Sequence, residues 1–296
     1  MSTRAIHRAL MGVYIVIFFA YLFGPLLIMG ITAFNKSAYP QIMPFEGFTL
    51  DWFAVLAADK DMIYGLQKSL WIGFLVVLVS VPVGLAGALV MTQVYDRARS
   101  FYYLIVVSPV LTPGVIIGIS TVVFWRQATQ MTGLKFIYDG TVLTVLAQSS
   151  FISAYTMLIF LARLARFDRT LEEAALDLGA SRAQVFRHVL LPFMLPAIGS
   201  AAVIAFLSSF ENYNTTTFAI LADKTLTTVL AGRMRQGTTP ALSALAVAVV
   251  AVTIVGAILF EIVKRREDAR AKARAATAER AFNAELTADA AGAAAA

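Results

Sequence analysis

The sequence predicts an all-α membrane protein with six transmembrane helices. Of its 296 residues, 59% are hydrophobic and only 14% are charged, with a mean hydropathy of +0.76. Soluble domains have about a quarter charged residues. The apolar residues also occur in blocks of the ~20 residues that a helix needs to cross a bilayer. These blocks are too long for strands and lack a period of two, so we expect helices rather than a barrel.

The six predicted spans lie at about 11–33, 69–94, 101–124, 141–163, 193–219 and 240–263. The first follows Arg4, His7 and Arg8, as the apolar part of a signal peptide would. Its apolar run is too long for that, and no small-residue cleavage site follows, so we expect a retained helix.

Lysine and arginine predict the orientation. With both termini in the cytoplasm, 16 of the 24 basic residues fall in cytoplasmic segments and eight fall outside. Cytoplasmic loops are enriched in Lys and Arg, so an N-in, C-in topology follows. We therefore expect a cytoplasmic N-terminus at 1–10, a six-helix transmembrane domain at 11–266 and a cytoplasmic, Ala-rich, partly disordered tail at 267–296.

Several classes of function are disfavoured. The chain has no cysteine, only two histidines (His7 and His188), and no GxxxxGK[ST] phosphate loop. We therefore predict no catalytic residue, no metal and no cofactor bound by this chain. The net charge of +6 is explained by the basic loops. No aromatic–basic patch accompanies that charge, so no nucleic-acid partner is expected.

Helix-breaking residues interrupt two spans. Pro82, Gly84 and Gly87 lie in the second, and Ser108-Pro109 and Thr112-Pro113-Gly114 lie in the third. A proline in a spanning helix frees backbone groups that neighbours or a lined cavity must satisfy. These residues predict either bent helices that line a pathway or ordinary packing kinks.

The loop at 164–192 predicts two short capped helices. Thr170–Glu173 fits a capping box for a helix over Leu171–Leu178, and Gly179 stands where a positive φ is needed. Ser181–Gln184 fits a second capping box, for a helix that runs to about Leu191 and stops at Pro192.

The first of these helices is amphipathic, with Leu171, Ala174, Ala175 and Leu178 on one side. The small alanines allow another surface to approach closely. The face suits a helix-in-groove contact with a soluble partner, or else packing on the bilayer or on the protein itself.

This loop resembles the EAA loop of ABC importer permeases, written EAA-x3-G-x9-I-x-L-P. The matching residues are Glu173, Ala174, Ala175, Gly179, Val189, Leu191 and Pro192, with Val189 in place of the usual Ile. The wider resemblance covers about residues 10–265 and includes Phe45–Phe53 and Ser108–Gly114. It is closest to the C-type permeases of spermidine/putrescine importers, a subgroup shared with thiamine, ferric iron and phosphonate systems.

The resemblance implies a role for the loop and a set of partners. In that family the loop docks in a cleft of the ATPase subunit, which implies coupling roles for Glu173, Ala174, Ala175, Asp177, Gly179, Leu191 and Pro192. It further implies the type I ABC importer permease fold. The protein would be a multi-pass protein of the bacterial inner membrane that pairs with a second, different permease, with ABC ATPases and with an extracytoplasmic substrate-binding protein. ATP and Mg²⁺ would be bound by the ATPases.

A polar run in the fifth predicted span marks a candidate translocation pathway at Glu211, Asn212, Tyr213 and Asn214. Glu211 would lie roughly 22 Å along the helix, where a carboxylate usually faces a cavity or a partner. It would contact a cationic substrate, an Arg or Lys of the partner permease, or interfacial water.

The following loop, Ala222–Thr239, is expected to touch the binding protein. Its Arg233 and Arg235 would either pair with Glu211 or face an anionic substrate.

The favoured substrate is a polyamine, followed by another small amine, and then a phosphonate or ferric iron. The main alternative class is a secondary transporter without an ATPase, which would need a coupling carboxylate pair and a repeated hydropathy pattern. The sequence has one buried Glu and no evident repeat. A membrane enzyme would need a clustered nucleophile, base or metal set, and a scaffold would not need the capped loop helices.

Overall fold

A computed structural model describes residues 3–256 together with residues 258, 261, 262 and 265. The predicted tail at 267–296 lies outside the described residues. Across the described part, regular structure is helical apart from one isolated bridge between Asn35 and Phe48. The chain divides into two compact units, one formed by the residues up to Leu56 and from Thr238 onward, the other by Ala57–Gly237.

The helices, in chain order, are α1 (Thr3–Phe34), α2 (Asp51–Ala58), α3 (Lys60–Gln93), α4 (Asp96–Leu111), α5 (Gly114–Thr132), α6 (Gly140–Leu164), α7 (Thr170–Asp177), α8 (Arg182–Val185), α9 (Leu191–Phe210), α10 (Thr216–Ala219), α11 (Leu226–Gln236) and α12 (Pro240–Gly256). A π turn at Phe186–Leu190 joins α8 to α9, and a 3₁₀ turn at Lys135–Ile137 precedes α6.

The first unit is organised by Asn35, which is 1% exposed at the end of α1. Its amide donates to the carbonyls of Gln41 and Pro44, and its Oδ1 accepts from the Glu46 N–H. Trp52 Nε1 donates to the Asn35 carbonyl at 2.9 Å. A buried Asn must satisfy its amide internally, so these bonds fix the path of the loop after α1.

The second unit is built around α6, the most buried of its long helices, which packs against α3 and α9. Gly84 of α3 lies so close to Thr156 that a Cβ there would collide with it and with the Met157 N–H. Thr156 Oγ1 donates to the Ser80 carbonyl at 2.8 Å across the same contact. Gly84 therefore allows α3 and α6 to pack closely, and α3 remains continuous through Pro82.

The third predicted span is two helices rather than one. The chain bends by 100° between α4 and α5. Pro113 caps α5, and Thr112 before it is extended, with ψ 131°. A residue before proline avoids the α region, which explains the break at this point.

The second loop helix does not stop at Pro192, as the sequence predicted. It continues through the π turn at Phe186–Leu190 into α9. Proline lacks an N–H and clashes with the carbonyl four residues earlier, and a π turn widens the helix at that point. The proline is thus accommodated without ending the helix.

Among the residues that the structure describes, four helices are long and apolar enough to cross a membrane, or five if the bent α4–α5 pair counts as one span. In the described part, α12 is a shorter apolar helix. The fifth predicted span, 193–219, is too long, because α9 ends at Phe210 and the chain turns before α10.

Candidate functional site

The loop at 164–192, named here the EAA loop, lacks the helix cap that the sequence analysis predicted at Thr170, because the N-cap residue of α7 is Arg169 and its side chain makes no capping hydrogen bond. Asp168 Oδ1 accepts from both the Thr170 N–H and the Thr170 hydroxyl, at 3.0 and 2.8 Å. The predicted box at Thr170–Glu173 is absent, because Thr170 already lies inside the helix and the Glu173 N–H donates to the Arg169 carbonyl instead of the Thr170 hydroxyl. The hydrogen bonds from the Thr170 side chain and then from its backbone lower the pKa of Asp168 below its usual value.

The end of α7 confirms the prediction for Gly179, whose φ is +86°. The Gly179 N–H donates to the Leu176 carbonyl, and the Ala180 N–H donates to the Ala175 carbonyl. This pair of bonds is a Schellman motif, which needs a left-handed residue after the helix. The predicted Ser181–Gln184 capping box is also confirmed.

The apolar side of α7 is uncovered. No residue of α7 is buried, and Leu171 and Leu178 are 54% and 89% exposed. The predicted coupling residues Glu173, Ala174 and Asp177 are exposed as well.

A shallow groove of about 390 Å³ separates the end of α7 from α8 and the π turn. Ala175 and Gly179 line it, together with Leu178, Ala180, Gln184, Val185, His188 and Val189. Leu191 and Pro192 lie beyond this groove, at the start of α9. The predicted coupling set is thus divided between an exposed helix with its groove and the base of a spanning helix.

Arg163 fastens the EAA loop to its flanking helices. Its guanidinium, at the end of α6, donates twice to the Phe193 carbonyl of α9, at 3.1 and 3.0 Å. It also lies 4.0 Å from the centroid of the Phe193 ring, while Phe167 packs on the same ring at 5.1 Å. The sequence analysis counted Arg163 only as a basic residue and missed this role. Arg163 thus joins the end of α6 to the start of α9, on either side of the EAA loop.

The polar cluster at 211–214 lies in a helix break rather than inside an apolar helix. Glu211 follows the last residue of α9 and is exposed. Asn212 Oδ1 accepts from the backbone N–H groups of Thr215 and Thr216, at 3.1 and 3.3 Å. Asparagine competes with helix in this way, which explains why the helix stops here. The prediction of Glu211 within a continuous span was wrong.

All four predicted pathway residues line one cavity of about 430 Å³. Its other lining residues are Phe151, Tyr155, Ile204 and Ser208. A carboxylate and three aromatic rings thus share one water-accessible pocket. Such a set suits a cation, which is attracted both by the charge and by the ring faces.

The proposed arginine partners of Glu211 lie elsewhere. Arg233 pairs with Asp59 at 2.9 Å and approaches Asp61 at 3.9 Å. Arg235 donates to the Tyr213 hydroxyl at 2.8 Å. The expectation that either arginine pairs with Glu211 was wrong, although Arg235 does contact the cavity wall through Tyr213.

Small residues and one buried amide, which the sequence analysis missed as site residues, position the helix break. A Cβ on Gly114 would lie 2.8 Å from Thr215 Oγ1, and one on Gly118 would lie 2.6 Å from the Thr215 carbonyl. Gln148, 1% exposed, donates to Thr216 Oγ1 at 2.8 Å. Glycine spacing at 114 and 118 was the available sequence signal, since two small residues four apart let backbones approach closely.

A second charged region joins the start of α3 to the segment at 223–233, and is named here the α3–α11 charge cluster. Its ion pairs are Lys68–Asp223 at 2.6 Å, Lys224–Asp61 at 3.0 Å and Arg233–Asp59 at 2.9 Å. Burial opposes ionisation of Asp223, but hydrogen bonds from Lys68 and Tyr64 outweigh it and lower its pKa.

The long apolar helices define a helical membrane protein, and comparison with known proteins identifies its family. Residues 79–269 match the family model described as the inner membrane component of binding-protein-dependent transport systems. The putrescine transport system permease protein PotI of Escherichia coli (strain K12) is 30% identical over 257 residues, which cover 85% of this chain and 90% of that protein.

Two further comparisons agree. The spermidine/putrescine transport system permease protein PotC of Haemophilus influenzae is 24% identical, over 88% of this chain and 98% of that protein. The crystal structure of a bacterial ABC transporter involved in alginate import shares the fold, with a TM-score of 0.65 at 20% identity, over 86% of this chain and 93% of that one. The chain belongs to the family of inner membrane components of binding-protein-dependent transport systems, and is a permease of the ABC importer type.

Proposed function

We propose that this chain forms half of the translocation pathway of a bacterial polyamine importer. The observation that carries the substrate class is the cavity at the α9–α10 break. It combines the Glu211 carboxylate with the rings of Phe151, Tyr155 and Tyr213. Cation–π contacts contribute roughly 0.5–2 kcal/mol each. The curated relatives named for putrescine and spermidine support the same class.

The proposed topology has six spans, with both termini in the cytoplasm of a bacterial inner-membrane protein. The spans are α1, α3, the bent α4–α5 pair, α6, α8–α9 and α12. The excess of Lys and Arg in the predicted inner segments supports this orientation. It places the EAA loop in the cytoplasm and the α3–α11 charge cluster outside, where a substrate-binding protein would dock. A crystal structure that shares this fold is that of a bacterial alginate ABC transporter in complex with a periplasmic protein.

The EAA loop is the proposed contact with an ATPase, which would bind ATP and Mg²⁺ in place of this chain. Its exposed α7 and the groove beside Gly179 fit a helix-in-groove contact. Closure of the ATPase pair would push on α7. Arg163, through its bonds to the Phe193 carbonyl, would pass that force into α6 and α9. Moving such an equilibrium from 1:99 to 99:1 takes about 5.5 kcal/mol, which ATP binding would supply.

The same movement would reach the cavity, because α9 ends at its wall. In the outward-open state a polyamine released by the binding protein would enter and balance the Glu211 charge. Reversal after hydrolysis would release it inward. A second permease, different from this one, would complete the pathway.

The test is uptake of labelled putrescine by proteoliposomes that hold the complete complex. Glu211→Gln removes the charge and keeps the shape, and we expect uptake at low putrescine to fall about tenfold, which corresponds to ~1.4 kcal/mol. Glu46→Gln is the matched control, since Glu46 lies outside the cavity lining. Unchanged uptake by Glu211→Gln, with insertion and assembly intact, would refute the assignment of the cavity.

A further inference from the structure

A cleft of about 600 Å³ lies between the end of α3 and the EAA loop; it shares no lining residue with the cavity at 211–214 and only Val185 with the groove beside Gly179. The apolar part of its wall is formed by Leu89, Leu164, Phe167, Leu176 and Leu190 among others, and Thr92 and Gln93 add polar groups. Leu89 is near the end of α3, and Leu164 is the last residue of α6. Two membrane-spanning helices therefore end at this cleft, which places it at the boundary between the apolar bilayer and the headgroups.

Two guanidinium groups, those of Arg169 and Arg182, line the same cleft. In the part of the chain that the structure describes, neither side chain makes a hydrogen bond or an ion pair. The Glu172 carboxylate also lines the cleft, so the three side chains leave a net charge of +1. That balance suits a ligand with a single negative charge.

We propose that this cleft binds an anionic phospholipid with one phosphate diester, such as phosphatidylglycerol. The phosphate would lie between Arg169 and Arg182, and an acyl chain would cover the apolar wall. Arginine forms paired hydrogen bonds with phosphate oxygens, and basic pockets between spanning helices bind acidic headgroups. A soluble phosphate would leave the wall of Leu89, Leu164 and Leu190 uncovered, so the lipid accounts for more of the lining.

A lipid bound in this cleft would lie against α7. Leu176 and Glu172 belong to α7, and both line the cleft. A bound lipid would therefore contact the proposed ATPase-docking helix from its membrane side. The orientation used here, with the EAA loop at the cytoplasmic leaflet, rests on the proposed topology.

The experiment is native mass spectrometry of the purified complex, released from nanodiscs of phosphatidylcholine with roughly 20 mol% phosphatidylglycerol, an anionic lipid that gives the surface a negative potential. The wild type is compared with the double variant Arg169→Gln/Arg182→Gln. The control is Arg97→Gln/Arg99→Gln, which removes the same charge from the start of α4, outside the cleft lining. Each sample is also scored for recovered ATPase and for thermal unfolding, so that assembly and folding are read separately from lipid.

We expect retained phosphatidylglycerol in the wild type and the control, and about a thirty-fold weaker relative affinity in the Arg169/Arg182 variant, since each cation contributes about 1 kcal/mol. Equal retention in all three proteins, or equal retention of phosphatidylcholine, would overturn the proposal. Displacement of the lipid by inorganic phosphate alone would also overturn it, by making the headgroup ion the ligand. Loss of ATPase with lipid retention unchanged would assign the two arginines to the ATPase contact instead.

Discussion

The α3–α11 charge cluster and the EAA loop are both polar regions of the same unit, but their acidic side chains differ in whether they form ion pairs within the chain. In the first, Asp59, Asp61 and Asp223 each pair with a Lys or Arg of the chain itself. In the second, Glu173 and Asp177 are exposed and have no ion pair among the described residues. Leucines 171 and 178 are exposed beside them.

The charges of the α3–α11 charge cluster are balanced within the chain, whereas the exposed charges and leucines of the EAA loop are available to contact another molecule. Contiguous exposed apolar side chains with polar neighbours are typical of interaction sites. Internal ion pairs hold two segments in register and leave little charge for a partner. We therefore expect substitutions in the EAA loop to affect transport with little effect on stability, and those in the charge cluster to do the reverse.

The largest effect is expected from Gly179→Asp, which should abolish ATP-dependent uptake while the protein still folds and inserts. A side chain at φ +86° is strained, and it would also project into the groove beside α7. The matched control is Gly133→Asp, because Gly133 has φ +74° at the end of α5 and open space around it.

Both variants carry the same backbone strain, so equal loss of uptake would show that folding, not coupling, is affected. Wild-type uptake by Gly179→Asp would contradict the coupling role of the loop.

A smaller but measurable loss of stability is expected from Arg163→Met, because the charged hydrogen bonds to the Phe193 carbonyl would be lost. Bonds to charged groups contribute about 1.5–3 kcal/mol. Thermal unfolding in detergent is the measurement. The control is Arg166→Met, a neighbouring exposed arginine with no side-chain partner among the described residues. Equal unfolding temperatures for the two variants would mean that Arg163 does not anchor the loop.

The charge cluster should make stability depend on pH through Asp223. Its pKa lies below the unfolded value of about 3.9, so its contribution is present above that pH and is lost as pH falls through the folded pKa. The unfolding temperature of Asp223→Asn should therefore lie below that of the wild type at pH 7, and the difference should shrink below about pH 4. A difference in unfolding temperature that stays constant down to about pH 3, one unit below the usual pKa of an aspartate, would contradict this contribution of Asp223.

The smallest effect is expected from Arg233→Gln, because its pair with Asp59 is solvent-accessible. Exposed ion pairs contribute about 0–1 kcal/mol and weaken in salt. Unfolding temperatures compared at low and high salt should differ by a few degrees at most and converge at high salt. A large effect that salt does not reduce would mean that the pair is more deeply buried than the structure indicates.

The sequence predicted the helical class and the landmarks of the EAA loop, because these depend on local pattern. The Gly179 turn and the Ser181–Gln184 cap follow from neighbouring residues alone. The predicted Thr170 cap was wrong because α7 begins one residue earlier than the pattern indicated, with Arg169 as its N-cap residue. The predicted helix end at Pro192 was wrong because the π turn before it accommodates the proline within a continuous helix.

The cavity was predicted only in part. The polar run at 211–214 was visible, but the break that exposes it depends on Asn212 accepting from the N–H groups of Thr215 and Thr216, and on Gln148 donating to Thr216 from another helix. Contacts of that kind are set by tertiary packing. The partners of Arg233 and Arg235 were unpredictable for the same reason, since Asp59 lies 174 residues from Arg233.

The most direct test of the account is affinity purification of the tagged chain from its native membrane in mild detergent, followed by mass spectrometry of the proteins recovered with it. We expect an ABC ATPase and a second, different permease, with the ATPase lost from the Gly179→Asp variant and retained by Gly133→Asp. Recovery of the chain without an ATPase, under conditions that preserve other membrane complexes, would contradict the proposed docking role of the EAA loop and favour a transporter that works without one.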